Sequence, residues 1–498
     1  MTSGPIIAQI VGLRQRRHAR KSSNLHELAE NEAHLPDFVR QSPAAMRYLR
    51  LLGPLTWERF PERDLTLGWP VEPVPYAALA AAYLIKLDQG LATVSALRRY
   101  LLEQPALVWL CGFRLVSSRR YPWRFDADAS LPTARHMTRM LRTMPNAALQ
   151  RLLDSSVELI GQELAGEDVR LGESISLDTK HILAWVKENN PKAYLPNGRY
   201  DKQRQPKGDP DCRLGCKRRS NQRKSSAEQP ATPHKEGIPG SQLVQQGEYY
   251  WGYASGVVAC KAPGRGEFVL AELTQPFDQS DVAYFQPLMA AVEQRLGRKP
   301  RFGAFDAAYD AWYVYAYFHN EEDPDAFAAV PFSEKGGYKA NGRQFSPEGL
   351  PLCAAGKPMF VKFTYTDRTT AIIEHERAKY VCPLRYPQKT EAVCPIQHKQ
   401  WAKGGCTAAM PTSGGARLRY QLDRESDAYK LIYKQRTADE RVNSQALELG
   451  IERPKLRSQA AITNQNTLTY VLIDLRGLHR VRARKAELAR QEQPTNGR

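Results

Sequence analysis

The stretch ESISLDTKHI, residues 173–182, decides how this chain is read. From about residue 35 up to it, apolar residues recur at the three-to-four spacing of helices. Here the period drops to two: Ile175 and Leu177 alternate with Ser176 and Asp178, and the branched residues suit a strand. A sheet therefore begins at this point, and its first strand delivers an aspartate, Asp178.

The chain has 498 residues, 42% of them hydrophobic, which is enough for two or three domains with a sizeable core. Lysine and arginine total 71 against 53 acidic residues, a net charge of +18. Such an excess favours a polyanionic partner, nucleic acid before an acidic membrane surface. The longest apolar run, YAALAAAYLI from Tyr76, is too short to span a bilayer. The N-terminus places its charges after a short apolar patch, the reverse of an export signal. The eight cysteines are accordingly expected to be reduced thiols or metal ligands.

Outward from the first strand, residues 1–34 carry LRQRRHARK and are expected to be a basic N-terminal arm. Residues 35–168 are expected to form a helical DNA-binding domain. YAALAAAYLIKLDQG ends in Gly90 as C-cap, and LPTARHMTRMLRTMPNAALQRLLDSSVELIGQEL makes two helices parted at Pro145. Arg135, Arg139 and Arg142 share one side of the first of these, as in a helix-turn-helix reader of DNA or a bundle with a basic face. On the other side of the strand comes a basic loop, 196–246. Its stretch Asn197–Ser226 holds ten basic and three acidic residues, among them Lys217, Arg218 and Arg219, and reads as a loop for DNA phosphates.

YYWGYASGVVACKA and GEFVLAELTQ are two further strands joined at PGRG. QSDVAYFQPLMAAVEQRLG is a helix capped by Ser280 and ended by Gly297, RFGAFDAAYD a strand, AWYVYAYF a helix and AFAAVPF a strand. Residues 335–422 break into short β-rich runs and are read as an insertion. SDAYKLIYKQRTADERVNSQALELG then forms one long helix capped by Ser426, a last helix runs to about 485, and 486–498 are a tail. Without its two irregular stretches, 169–334 with 423–485 is an α/β unit: a mixed sheet, antiparallel first and parallel later, flanked by helices. An RNase H-like core has that order.

Three carboxylates stand out: Asp178 after the first strand, Asp306 after RFGAF, and Glu440 on the late helix, where Tyr433, Arg436 and Glu440 fall on one face. Asp310 looks like the cap of the aromatic helix, and Asp439 lies about 100° around the helix from Glu440, so neither is the preferred ligand. Phosphodiester cleavage needs neutralised phosphate charge and an activated oxygen. Two hard divalent cations held by carboxylates supply both.

With SLDTKHI, GAFDAAYD and YKQRTADER in that order, the sequence resembles the DDE transposases of bacterial insertion sequences, cut-and-paste enzymes with an RNase H-like core. The resemblance covers about residues 170–485. It implies that Asp178, Asp306 and Glu440 bind Mg²⁺ or Mn²⁺ in a two-metal site, that Arg436 holds a backbone phosphate, and that Tyr433 contacts the terminal DNA. It further implies a homodimer on double-stranded DNA (terminal inverted repeats and target) in the bacterial cytoplasm, associated with the nucleoid. Seven residues after Glu440, where the resemblance implies a phosphate-binding lysine, stands Leu447. A nuclease of the same fold without strand transfer, and a catalytically inactive DNA-binding descendant, are the alternative readings.

Cys353, Cys382, Cys394 and Cys406 all fall in the insertion, at spacings of 29, 12 and 12, and are candidate ligands of a structural Zn²⁺, with His398 as a substitute. Cys212 and Cys216 in the basic loop are a weaker pair, and Cys111 and Cys260 read as core.

Overall fold

The computed structural model describes residues 25–63, 73–165, 169–195, 199–218, 247–333, 343–368, 373–389 and 391–492. Of the basic arm, residues 1–24 lie outside this set, whereas Leu25–Glu30 form a helix, α1, whose Leu25 is buried. The end of the expected arm is therefore part of the fold. It is followed by α2 (Pro43–Leu52), α3 (Tyr76–Asp88), α4 (Val94–Glu103), α5 (Pro105–Leu110), α6 (Ala134–Thr143) and α7 (Asn146–Leu164).

Local chemistry sets these boundaries. Ser42, Thr93 and Thr133 each accept a hydrogen bond from a backbone N–H of the helix they open. Gly90, at φ +62°, lets Leu91 N–H reach back to Lys86 O and close α3. Pro145 parts α6 from α7, as the sequence implies.

The central sheet contains β1 (Ser174–Leu183), β2 (Arg213–Arg218), β3 (Gly247–Ala262), β4 (Gly266–Pro276), β5 (Phe302–Phe305) and β6 (Phe327–Ala329). Its path is β2-β3-β1-β5-β6, with β4 also paired to β3. β3 is antiparallel to β1, β2 and β4, while β5 is parallel to β1 and to β6. The chain is thus α/β with a mixed sheet flanked by helices. Between β4 and β6 stand α8 (Phe285–Leu296), ended by Gly297 at φ +66°, and α9 (Trp312–Phe318). Ser280 precedes a single 3₁₀ turn, Asp281–Tyr284, and its side chain makes no capping bond.

The basic loop departs from its reading. Residues 219–246 lie outside the described set, but 213–218 are β2, and the segment before it is pinned. The Arg199 guanidinium donates to the carbonyls of Glu188, Asn190 and Ala193 at 3.1, 2.5 and 3.0 Å. Tyr253 donates to buried Asp209 at 2.7 Å. Few apolar residues are needed there because hydrogen bonds to the chain's own carbonyls replace a core.

The insertion is β-rich as expected: β7 (Phe360–Asp367), β8 (His375–Val381) and β9 (Thr407–Pro411) form an antiparallel sheet with β8 in the middle. A helix, α10 (Gly414–Gln421), ends it, and Gly415 lets that helix approach α9 so closely that a Cβ would meet Trp312 O at 2.1 Å.

The late helix is not continuous. It is α11 (Asp427–Tyr433), a 3₁₀ turn Lys434–Arg436, and α12 (Thr437–Glu448). Ser426 caps α11 as expected, accepting from Tyr429 N–H. The last helix, α13, spans Gln459–Glu492, so most of the expected tail is helical, and 493–498 lie outside the described residues. At 34 residues it is about 51 Å long. Its stretch 461–478 is buried between the N-terminal helices and the sheet, and the part beyond is largely exposed. Asn464 Nδ2 satisfies the Leu141 and Met144 carbonyls at the end of α6, both at 2.8 Å. Asp474 accepts from Val269 N–H on β4 at 2.8 Å and from Ser156 of α7 at 2.9 Å. One apolar core accordingly runs from α1–α7 through α12 and α13 onto one face of the sheet, and a second lies on the other face with α8 and α9.

Candidate active site

The parallel pairing of β1 with β5 ends at Leu177 opposite Phe305. The next residue on each strand is a candidate carboxylate, so Asp178 and Asp306 leave neighbouring strands side by side, about 5 Å apart at the backbone. Asp178 is not at the end of its strand: β1 continues to Leu183 against β3. What ends there is the parallel ladder, and the sheet opens at that point. Both aspartates are half-buried. Asp178 accepts from Thr179 N–H at 2.8 Å and from Asn443 Nδ2 at 3.1 Å. Asp306 accepts from Ala308 N–H at 2.8 Å and so caps the turn that follows it.

Asp310 is committed elsewhere, though not as a helix cap. Its side chain is fully buried and ion-paired to Arg419, and it accepts from Tyr315 OH and Ser333 N–H, each at 2.8 Å. The residue before α9 is Ala311, which cannot cap with its side chain. The expected cap role of Asp310 is therefore not found, and its carboxylate is engaged by Arg419, Tyr315 and Ser333 instead.

The column on the late helix survives its 3₁₀ break. Arg436 Nη2 meets Glu440 Oε1 at 2.6 Å, and its guanidinium lies 5.9 Å from the Tyr433 ring centroid. Tyr433 in turn stacks on Tyr429 at 5.8 Å. Partial burial works against the Arg436 charge, but Glu440, Tyr433 and Asp178 outweigh it and raise the pKa. Arg436 therefore lies in the field of both Glu440 and Asp178.

One carboxylate the sequence reading set aside is close to Asp178. Asp439 is fully buried; burial first, and the charge of Asp178 second, hold its carboxyl well above the usual carboxylate range. The Ser176 hydroxyl, Arg436 and the Ala259 amide offset part of this. The signal was present: Ala438, Asp439, Val442, Asn443 and Ala446 form the inward stripe of α12. Glu440 stands on the outer side, half-exposed, and Leu447 is 47% exposed.

Hard divalent cations take oxygen ligands, and Asp178, Asp306 and Glu440 offer carboxylate oxygens only, so the donor set fits Mg²⁺ or Mn²⁺ in kind. Glu440 is engaged by Arg436, and among the described residues no group of three or more His, Cys, Asp or Glu is placed to hold a metal ion.

In the insertion, Cys353, Cys382 and Cys394 each open a tight turn, their carbonyls accepting from the N–H of Gly356, Arg385 and Gln397. Burial, then the neighbouring Cys382 and Cys353 thiols, push Cys406 up to about 12. Cys406 thus has Cys382 and Cys353 near it, Cys394 is buried, and among the described residues the four thiols are not placed as a metal-holding group. Cys212 is buried, while Cys216 lies on β2 beside Tyr249. Cys111 and Cys260 are core residues, as expected.

Of the candidate DNA contacts, Lys217 and Arg218 lie on β2 in register with Glu248 and Gly247, and Arg219 falls outside the described residues. In the stretch HRVRARK of α13, residues 479–485, Arg482 and Lys485 pair with Glu163 at 2.8 and 3.2 Å. Arg135, Arg139 and Arg142 are exposed on α6, whose opposite face buries Met137, Met140 and Leu141. The three arginines line a cleft of about 730 Å³ with Trp185 beyond β1 and with Lys455 and Arg457 before α13.

No family model matches the chain, and no curated protein is significantly similar to it. No helix among the described residues is long and apolar enough to cross a membrane.

Proposed function

We propose that this protein is a DDE transposase, cleaving the ends of an insertion sequence and joining them to target DNA in a metal-dependent reaction. The observation that carries the reading is the register of Leu177 with Phe305, which sets Asp178 beside Asp306 under the helix bearing Arg436 and Glu440. With β4, the additional partner of β3, taken in place of β2, the order β4-β3-β1-β5-β6, in which β3 alone runs against the other four, supports an RNase H-like core.

Asp178, Asp306 and Glu440 would hold the cations. When bound, a divalent pair neutralises phosphate charge and activates the attacking oxygen, water for cleavage and a 3′-hydroxyl for joining. The chain's own groups do the positioning. Arg436 exchanges Glu440 for a phosphate of the scissile strand, its planar fork suiting two phosphate oxygens. Tyr433 packs beside that phosphate. Asn443 holds one oxygen of Asp178, and the buried Asp310–Arg419 pair fixes the turn that carries Asp306. Basic residues of α6 and β2 supply contacts to DNA, and two copies bring paired ends together. Structural zinc on the insertion cysteines is a separate proposal, tested by metal analysis of the purified protein.

The test incubates the protein with Mg²⁺ and DNA whose ends carry whatever short inverted repeats sequencing finds on either side of its gene. Nicked ends and joined products are expected, and both should vanish in Asp178→Ala and Asp306→Ala. Products unchanged by those substitutions would sink the assignment. Leu447, at the site of an expected phosphate-binding lysine, favours one second reading: a DNA-binding descendant without activity, which would bind the ends and leave them uncut.

A further inference from the structure

The cleft beside Trp185 is a cationic groove whose lining includes none of the candidate carboxylates. Arg135, Arg139 and Arg142 enter it from α6, and Lys455 and Arg457 from the segment before α13. Among the described residues, no acidic side chain lines it. His136, at its edge, registers the field: partial burial and then the guanidinium groups of Arg139 and Arg63 lower its pKa. Trp185 is 52% exposed, unusual for a large aromatic, and the Arg457 guanidinium sits 5.0 Å from its ring centroid. Concentrated positive charge with an exposed aromatic is the chemistry that tracks a nucleic-acid strand, the cations on phosphates and the ring against an unpaired base.

Placement adds a second constraint. Trp185 follows Asp178 by seven residues of mostly extended chain, at most about 23 Å. At about 3.4 Å per nucleotide step, a strand passing the carboxylates reaches the groove within at most roughly seven nucleotides.

We infer that this groove is a DNA-strand subsite, in which Arg135, Arg139, Arg142, Lys455 and Arg457 bind backbone phosphates and Trp185 stacks on an unpaired base within about seven nucleotides of the scissile bond. This rests on the transposase reading for the identity of the strand as DNA.

The test measures binding of Asp178→Ala protein, which should not cut, to two DNA probes across a salt series. One probe is fully paired, and the other has an unpaired segment within about seven nucleotides of the repeat end. Converting Arg135, Arg139 and Arg457 to Ala should lower the slope of log affinity against log salt by about 2–3. Trp185→Ala should weaken the unpaired probe about tenfold or more and leave the paired probe within about twofold. Thermal unfolding checks that each variant is folded, and Trp185→Phe should restore most of the stacking. Unchanged slopes and probe preference, with wild-type cleavage intact, overturn the groove and leave the transposase reading standing. Altered slopes and preference without wild-type cleavage under any metal retain the groove and overturn the enzyme reading. A wild type that binds neither probe overturns both.

Discussion

Asn443 Nδ2 donates to Asp178 Oδ2 at 3.1 Å, tying the inward face of α12 to the first strand of the sheet. A hydrogen bond to a carboxylate is worth about 1.5–3 kcal/mol. Asn443→Ala frees one oxygen of Asp178 to rotate away from Asp306. We expect cleavage to slow by about tenfold to a hundredfold with DNA affinity unchanged. Single-turnover cleavage beside a binding titration reads this, and an equal loss of both would assign Asn443 to general stability instead.

Adjacent carboxylates on α12 should part company. The Arg436–Glu440 pair is 31% and 51% exposed, so breaking it costs about 0.5 kcal/mol or less. Glu440→Gln is therefore expected to abolish cleavage while barely moving the urea midpoint. Burial and then Asp178 raise the Asp439 pKa and so favour its neutral form. Asp439→Asn imitates that neutral form and should retain cleavage within about threefold. The reverse pattern would transfer the catalytic role to Asp439.

Much of this was legible in the sequence because each element carried its own local signal. The drop in period at Ile175, the Gly297 stop and the Ser426 cap all reappear in the fold. What was hidden depends on non-local packing. β2 lies in a strongly basic segment with few apolar residues, and its strand exists because β3 extends past β1 and offers an edge. The 3₁₀ turn at Lys434–Arg436 interrupts a sequence whose helical propensity is unbroken. Asp310 looked like a cap since nothing local reveals Arg419, 109 residues away. Asp439 was passed over in favour of the exposed face, although its spacing to Val442 and Ala446 marks the buried one.

Two buried carboxyls make stability fall with pH. Burial pushes Asp474 up to about 7 and Glu272 up to about 7. Unfolded, such groups titrate near 4. Between those values the folded state binds more protons than the unfolded one, so stability is fully present at low pH and is lost as pH rises through 7. Asp474→Asn removes one of the two titrations while keeping an acceptor for Val269 N–H. Urea unfolding at about pH 5 and about pH 8 should show the variant losing less stability than the wild type over that interval. An identical loss would place the ionisation elsewhere.

Asp88 joins three helices. Its side chain is 1% exposed and receives Arg476 of α13 at 2.6 Å, Arg47 of α2 at 2.5 Å and the Tyr48 hydroxyl at 2.8 Å. Removing it takes the acceptor from three donors, but Arg47 and Arg476 are 54% and 34% exposed and can turn to water, so the loss costs about 1–3 kcal/mol. The exposed Asp37–Arg40 pair is the internal comparison, since charges at 77% and 48% exposure contribute about 0.5 kcal/mol or less. Asp88→Ala should lower the unfolding midpoint clearly and Asp37→Ala hardly at all. Because Arg476 belongs to the helix that anchors both the N-terminal helices and β4, the loss should appear as one cooperative transition at a lower midpoint. A new early transition confined to the N-terminal helices would instead mean that they unfold independently of the sheet.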